Sequence, residues 1–477
     1  MKQAQITVYL ALVFSLILSV FLSALEAARG SALKIRMENA VQTAIHSTFA
    51  EYHKELFERY GLFFIDTSYM TERPDFHKVE GRMEEYLEYN FLMPENEMLL
   101  WARDWYGVED CNAVVTNIRL ATDYDGCVLK EQAVNYIKDY VDFSVIEKVQ
   151  SWMTTVETYE INGEKMETEY EEALAQADES WSANNLLKEE WTLTKMIPSF
   201  DIDTFYIDPI LALFLNNKVT ELSTKTFQPW NAVSYRNCLK GTEIWEPDID
   251  ALTGELFFNE YILQKMGNFQ KVLPESCLDY QAEYILFGSP QDTANLDYMV
   301  RALFWFRSAA NFVMLISDAD TQKIVNEVAK LAVFLEIPPE LAAVLINICW
   351  AAAESALDVK ELIDGNRVIF LKKPNEFGMS LKGLTEFDPD MFLARDVPEA
   401  EDAQGLSYED YIRIMLAFLP PNIKILRCMD MMEADIRKTD GNENFRIDAC
   451  ADMVSLEVGI TSSFGYFYTM ERKYGYF

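Results

Sequence analysis

The residues able to do chemistry in this chain are few in kind and poorly spaced for it. There are three histidines. His46 and His53 lie seven apart on one predicted helix with no third ligand nearby, a pattern of solvated or packed side chains rather than of a metal pair. Cys111, Cys127, Cys238, Cys277, Cys349, Cys428 and Cys450 form no CxxC and no cysteine–histidine cluster, which leaves structural zinc and thioredoxin-type redox chemistry without support. Carboxylates are dense between Glu157 and Glu179, where nine of them face the single cation Lys165. Acid–base work needs buried carboxyls whose pKa values diverge, so a run this dense reads as a solvated insertion. The turn Asp123-Tyr124-Asp125-Gly126 suggests calcium, but with Gly126 sixth in an EF-hand register Ala121 stands first and Gln132 twelfth, both wrong for the pattern. There is no Walker-type glycine loop, GxSxG, HExxH or repeat of 20 to 50 residues. No residue is therefore assigned to catalysis, to a cofactor or to a metal, and the expectation is a protein that is not an enzyme.

The bulk properties bound what remains. Of 477 residues, 50% are hydrophobic and 13% aromatic, more than a disordered tail carries, so the chain folds. Its 77 Asp and Glu against 41 Lys and Arg give a net charge of -36, which repels phosphate backbones and argues against nucleic acid as a partner.

One segment stands apart. Ile6 to Leu25 reads ITVYLALVFSLILSVFLSAL, without a charge. Such a run matches a hydrocarbon core of about 30 Å at a rise of about 1.5 Å per residue. Ile6, Leu10, Leu16, Phe21 and Leu25 are its anchor residues, and membrane lipid is the partner they imply. From Glu26 to Tyr60 there is no proline and only Gly30, so helical periodicity runs straight on. Val41, Ile45, Thr48 and Tyr52 share one face, while Ala28, Ala32, Ala40 and Ala44 line a neighbouring one suited to close helix packing. One helix from Thr7 to Tyr60 is expected. Lys2 precedes the apolar run and Arg29, Lys34 and Arg36 follow it, so charge alone favours a cytoplasmic C-terminal domain.

This N-terminus, with its Glu26-Ala27-Ala28-Arg29 step and the alanines Ala40 and Ala44 beyond, resembles the TadE/TadG-like pseudopilins of the Tad, or tight-adherence, pilus system. ITVYLALVFSLILSVFLSALEAAR, FAEYHKELFERYGLFFIDTSY at Phe49 to Tyr69, DYQAEYILFG at Asp279 to Gly288, AAAESALDV at Ala351 to Val359 and GLSYEDYIRIML at Gly405 to Leu416 resemble a family of large anchored proteins found beside Tad pilus genes in Clostridia-type bacteria. The resemblance covers nearly the whole chain and brings no activity with it. It implies a structural or assembly component with protein partners in a pilus or envelope complex, placed as a single-pass protein of the cell membrane with its C-terminal domain extracytoplasmic. Glu26, Arg29, Ala40, Ala44 and Tyr52 are then the assembly helix. The pattern departs from a standard type IV prepilin, since neither the Gly before the processed bond nor the Glu five residues inside occurs near Lys2 to Ile6, which leaves prepilin-peptidase processing unsupported. An anchored extracytoplasmic enzyme or ligand-binding protein is the alternative, resting only on scattered carboxylates and aromatic content.

The fold class expected is α+β and helix-rich: a transmembrane helix that continues outside the membrane, then a large mixed exterior domain. Residues 1–60 form the anchor, 61–290 an acidic mixed region, and 291–477 a helical region with C-terminal strands. Strand character is read at the LFFIDT segment, at Cys111 to Leu120, at Phe445 to Asp448 and at Met453 to Tyr468, and a helix at Phe76 to Tyr89. Helices are read at Leu296 to Ser317, Thr321 to Glu336 and Pro339 to Asp364, with Asp318 or Asp320 as a cap and Gly365 as a stop. Leu341 to Ala353 is too short for a bilayer and Arg307 interrupts the other run, so both read as core helices. Ser407 and Asp410 resemble a capping box opening a helix to Leu419, and Ile423 to Thr439 continues helically. An exported domain can oxidise thiols, and Cys111 with Cys127 and Cys428 with Cys450 flank turn signals, which makes them the candidate disulfides; the other reading is that all seven are buried thiols.

Overall fold

The computed structural model describes residues 2–71, 74–91, 106–184, 222–242, 245–331, 338–385 and 405–476. It is a helix-rich α+β protein with a long apolar N-terminal helix. Two compact units share the chain discontinuously. The first takes Met1–Ala133, Arg236–Asp248 and Ile436–Phe477, and the second takes Val134–Tyr235 and Ile249–Asp435.

The first unit opens with α1 (Lys2–Phe49), a helix of 48 residues and so about 72 Å long. It stops short of the expected Tyr60, and tertiary bonds explain why. The Glu51 carboxylate turns to Arg82 and to the Tyr86 hydroxyl at 2.6 Å. His53 takes extended backbone, accepts the Leu56 amide on Nδ1 at 3.2 Å and donates its own amide to the Phe64 carbonyl at 2.8 Å, thereby capping a second helix, α2 (Lys54–Tyr60). Burial pushes the His53 pKa down, against the pull of Asp66, which keeps the ring in the neutral form that can accept at Nδ1.

Four antiparallel strands follow: β1 (Ile65–Asp66), β2 (Val108–Leu120), β3 (Cys450–Ser462) and β4 (Phe467–Gly475). Central β3 pairs along one edge with β2, Cys111 opposite Ile460, and along the other with β1 and then β4, Ala451 opposite Ile65 and Met453 opposite Gly475. The single strand read over Met453 to Tyr468 is thus a hairpin that reverses at Gly465, whose φ of 79° is left-handed. The strand expected at Phe445 to Asp448 is replaced by a polar turn, because Asp448 accepts from the Leu239 amide at 3.0 Å and from Arg446 at 2.7 Å, and also pairs with Arg236. Met37, Val41, Ala44 and Phe49 of α1, with Met83 and Leu87 of α3 (His77–Phe91), bury the apolar side chains of β2 and β3 in one cluster. Helix α4 (Cys127–Lys138) begins in this unit, where Glu131 lies 3.3 Å from Arg119 and Arg119 forks onto Asp452 at 3.0 and 2.6 Å.

The second unit is helical: α5 (Phe143–Thr158), α6 (Gly163–Asn184), α7 (Ala251–Lys265), α8 (Gln281–Phe287), α9 (Asp292–Ser317), α10 (Ala319–Ala329), α11 (Pro339–Asp364), α12 (Tyr408–Phe418) and α13 (Pro421–Ile436). Local punctuation is as the sequence has it. Asp318 caps α10 through the Thr321 amide, Gly365 closes α11 at φ 94°, and Ser407 and Asp410 form a capping box on α12. The acidic run expected as a solvated insertion lies largely on α5 and α6; α6 buries Met166, Tyr170 and Ala173 against the α9–α11 pair and leaves Glu164, Glu171 and Glu172 exposed, as an amphipathic helix does.

The α9–α11 pair closes on a fully buried ion network. All five Arg307 donors are engaged: Nε and Nη2 reach Asp358 Oδ2 at 2.9 and 2.7 Å, Nη2 also meets Asn311, and Nη1 meets the Phe370 carbonyl and the Tyr411 hydroxyl. Lys372 bridges Asp358 to Glu354, the latter at 2.7 Å, and Glu354 also accepts the Met379 amide at 2.9 Å. Two cations and two anions cancel in the interior, the arrangement that makes buried charge tolerable.

The expectation of a single membrane pass is overturned. Three helices are long and apolar enough to cross a membrane: Ile6–Phe49 within α1, α9 and α11, with mean hydropathies of 2.5, 1.3 and 1.5 in their most apolar stretches. Unbroken apolar runs such as Leu341 to Ala353 do not reveal the last two, since a span tolerates a charge or two when the rest of the helix stays apolar and the charges pair internally. The three differ in cover: none of the α1 stretch is buried within the protein, against 56% for α9 and 83% for α11.

Glu283 on α8 gives this fold a measurable pH dependence. Its Oε1 accepts the Phe269 amide at 2.9 Å and the Tyr408 hydroxyl at 2.7 Å, while Oε2 is buried with no hydrogen-bond partner. Burial pushes its pKa from 4.5 up to about 7. The folded state then holds a proton that the unfolded state releases, so this contribution is fully present below pH 4.5 and is lost as pH rises through 7. Glu283→Gln removes the titration. In paired denaturant melts the variant is expected to gain on the wild type between pH 4.5 and pH 8 by up to about 3 kcal/mol, at about 1.4 kcal/mol per pKa unit. Parallel pH curves for the two proteins would refute this.

Candidate functional site

The feature that most needs a function is α1 itself. Ile6, Leu10, Leu16 and Phe21 are all exposed and Leu25 is half-buried, so the anchor residues form a stripe-free apolar rod with no cover from the protein. Water disfavours that surface by roughly 25 cal/mol per Å², and a bilayer relieves it. The cover begins within two turns of Leu25. Leu33, Met37, Ala40, Val41 and Ala44 are buried in the core of the first unit. Ala40 and Ala44, expected to meet a partner helix, are therefore spent on this chain's own sheet and α3, and Tyr52 lies in the turn after α1, ringed by Phe57 and Phe63 at 5.2 Å.

Glu26 and Arg29 sit at the boundary between the bare and covered halves. They pair at 3.4 Å, the Tyr466 hydroxyl donates to Glu26 Oε1 at 2.6 Å, and the Arg29 guanidinium lies 4.0 Å over the Phe464 ring. One turn on, the Tyr468 hydroxyl donates to the Gly30 carbonyl at 3.3 Å. A Cβ at position 30 would stand 3.2 Å from that hydroxyl, so a larger residue there would oblige the tyrosine to shift. Arg36 continues the collar, 5.1 Å over Tyr106. Sequence reasoning found Glu26 and Arg29 but missed their aromatic partners, which come from a hairpin more than 430 residues away; the run of aromatics from Phe464 to Tyr468 was the available signal.

The remaining candidates are placed plainly. His46 meets Tyr474 at 3.0 Å and His53 meets Asn442 at 3.1 Å, so the two are not brought together. The Asp123 carboxylate accepts the Leu120 and Gly241 amides at 2.8 and 2.9 Å, a strand-end tie. Among the described residues no group of three His, Cys, Asp or Glu side chains could hold a metal ion. All seven cysteines are thiols, and neither expected bridge is formed. Cys428 belongs to the second unit and Cys450 to the first. The second unit also holds an apolar cleft of 630 Å³ walled by Tyr298, Trp305, Phe306 and Phe418, with Glu164 and Glu167 at its rim. Burial and the neighbouring Glu171 raise the Glu167 pKa. Among the described residues the lining includes no Ser, Cys or His.

Residues 191–462, more than half of the chain, match a family described as Family of unknown function (DUF5702). The chain belongs to this family. No curated protein and no solved structure matches it. The DUF5702 region takes in the buried ion network, β3 and the part of the cleft wall on α8, α9 and α12, and leaves out α1, β2, β4 and the cleft's Glu164 and Glu167.

The thiol state is open to direct measurement. Alkylation in denaturant without reductant, followed by mass spectrometry of protein from native membranes, is expected to label all seven cysteines; any bridged pair would refute it. In the native state Cys111, pushed up to about 11 by burial with Glu88, Asp110 and Glu84 nearby, should react slowly.

Proposed function

We propose that this protein is a membrane-anchored structural or assembly component of a Tad-type pilus or a related secretion apparatus, acting through protein contacts rather than catalysis. One observation carries the reading: α1 is bare and apolar over the twenty residues from Ile6 to Leu25, and the same helix is then built into the core of a folded unit. A helix so divided transmits position from the lipid phase to a domain, which is the work of an anchored subunit. The mixed region that follows is consistent with an extracytoplasmic domain. The Glu26–Arg29 step that resembles a pseudopilin N-terminus sits at the boundary where α1 passes from bare to covered.

The apolar cleft favours a second reading, an anchored extracytoplasmic ligand-binding protein or enzyme, because Glu167 has a raised pKa there. Two measurements separate the two. Mild detergent extraction and purification of the full chain should recover Tad pilus subunits or secretion components, and the full chain should stay with carbonate-washed membranes. Turnover of glycan, peptide or ester substrates that is abolished by Glu167→Gln, without recovery of pilus components, would overturn the assembly reading.

A further inference from the structure

We propose that the tip of the β3–β4 hairpin is a second membrane contact, a pair of phenyl rings at headgroup depth that seats the first unit on the bilayer from which α1 emerges. This rests on α1 entering the membrane. The apolar run ends at Leu25, and the hairpin meets the helix within the next turn and a half, through Tyr466 on Glu26, Phe464 beneath Arg29 and Tyr468 on Gly30. At a rise of about 1.5 Å per residue, Arg29 stands about 6 Å beyond Leu25. The polar layer on each side of the hydrocarbon core is itself roughly 5 to 7 Å deep. Phe464, held against Arg29, therefore lies within that layer.

The tip has the chemistry of this depth. Phe464 and Phe467 are 44% and 67% exposed, while the tyrosines that alternate with them turn their hydroxyls to α1. Single exposed aromatics are ordinary on a protein surface. Two beside the end of a bare membrane-length helix are not isolated: Phe side chains of interfacial segments sink into the headgroup–acyl boundary, and tyrosines such as Tyr466 and Tyr468 concentrate where hydrocarbon meets headgroup. Arg29 adds a cation at the same level and the exposed Lys34 another about 7 Å further out, both complementary to lipid phosphates in a chain otherwise strongly acidic. The tip is also held firmly: Gly465 turns it in the left-handed region, the Ser462 amide donates to the Tyr466 carbonyl at 2.9 Å, and the Ser463 amide donates to the Gly107 carbonyl at 2.8 Å. Its depth is thus set by the fold, and the partner is the phospholipid interface.

Photo-crosslinking tests this on the full chain in phosphatidylcholine–phosphatidylglycerol vesicles, with p-benzoylphenylalanine replacing Phe14, Phe464, Phe467 or Glu471 one at a time and lipid adducts read by mass spectrometry. Glu471 is exposed on β4, about 13 Å further along the strand than Phe467. Adducts are expected at positions 14, 464 and 467 and not at 471. Adducts at 14 without any at 464 and 467, or equal adducts at 471 and the tip, would overturn the second contact and leave the anchor standing. No adduct at position 14 would remove the anchor, and the proposal with it.

Discussion

Helix α1 has to satisfy two solvents along one axis, and the first unit is arranged around that constraint. A helix meets its own backbone hydrogen bonds in any medium, so it is the element that can leave lipid and enter a protein core without interruption. What changes along it is the side-chain cover. Up to Leu25 the protein supplies none; from Leu33 onward it supplies a sheet, α3 and a ring of tyrosines. The sheet is built to meet that need: β3 is central, long and almost wholly buried, and Tyr466 of the hairpin turn with Tyr468 and Tyr474 of β4 reach back to α1 at Glu26, Gly30 and His46.

The second unit answers a different constraint, how a chain with a charge of -36 keeps charge inside. Between α9 and α11 it does so by pairing in sign, while Glu283, Asp292 and Asp430 are held by neutral donors instead. Arg307 and Lys372 face Asp358 and Glu354, and the remaining lone pairs take backbone amides such as that of Met379. Removing one member would strand its partner in a low-dielectric interior, at about 3 to 5 kcal/mol, although an apolar replacement of the whole set need not destabilise. Such a network is therefore no measure of how strongly α9 and α11 adhere.

Much of the helical frame is legible in the sequence because its punctuation is local. Asp318, Gly365 and the Ser407–Asp410 box each act within four residues of the end they mark. The apolar run of α1 is legible for the same reason, as is the step at Glu26 and Arg29. The end of α1 is not, since nothing within Ala50 to His53 breaks a helix; the break is made by Arg82, Tyr86 and Phe64, which lie elsewhere in the chain. The hairpin within Met453 to Tyr468 has Gly465 as its one local sign. The aromatic collar on α1 is equally hidden, because it exists only once β4 has been laid beside β3. A consecutive division of the chain likewise has no means of expressing two units that interleave.

The span of the DUF5702 match bears on what has to fold together. It ends at residue 462, the last residue of β3, and omits β2 and β4, which pair with β3 along its two edges, as well as α1 and α3. On its own, β3 would present two rows of unpaired amides and carbonyls and two apolar faces, a surface that aggregates rather than persists. The matched region therefore contains the middle of a sheet but not the means to cover it. Since α1 supplies much of that cover, the strand and the membrane helix are bound into one folding problem: burying Val454, Leu456 and Val458 requires the half of α1 that follows its bare segment. This coupling fixes where the bare segment points relative to the first unit's own sheet, so any force on the anchor is delivered straight into the strand at the centre of that unit.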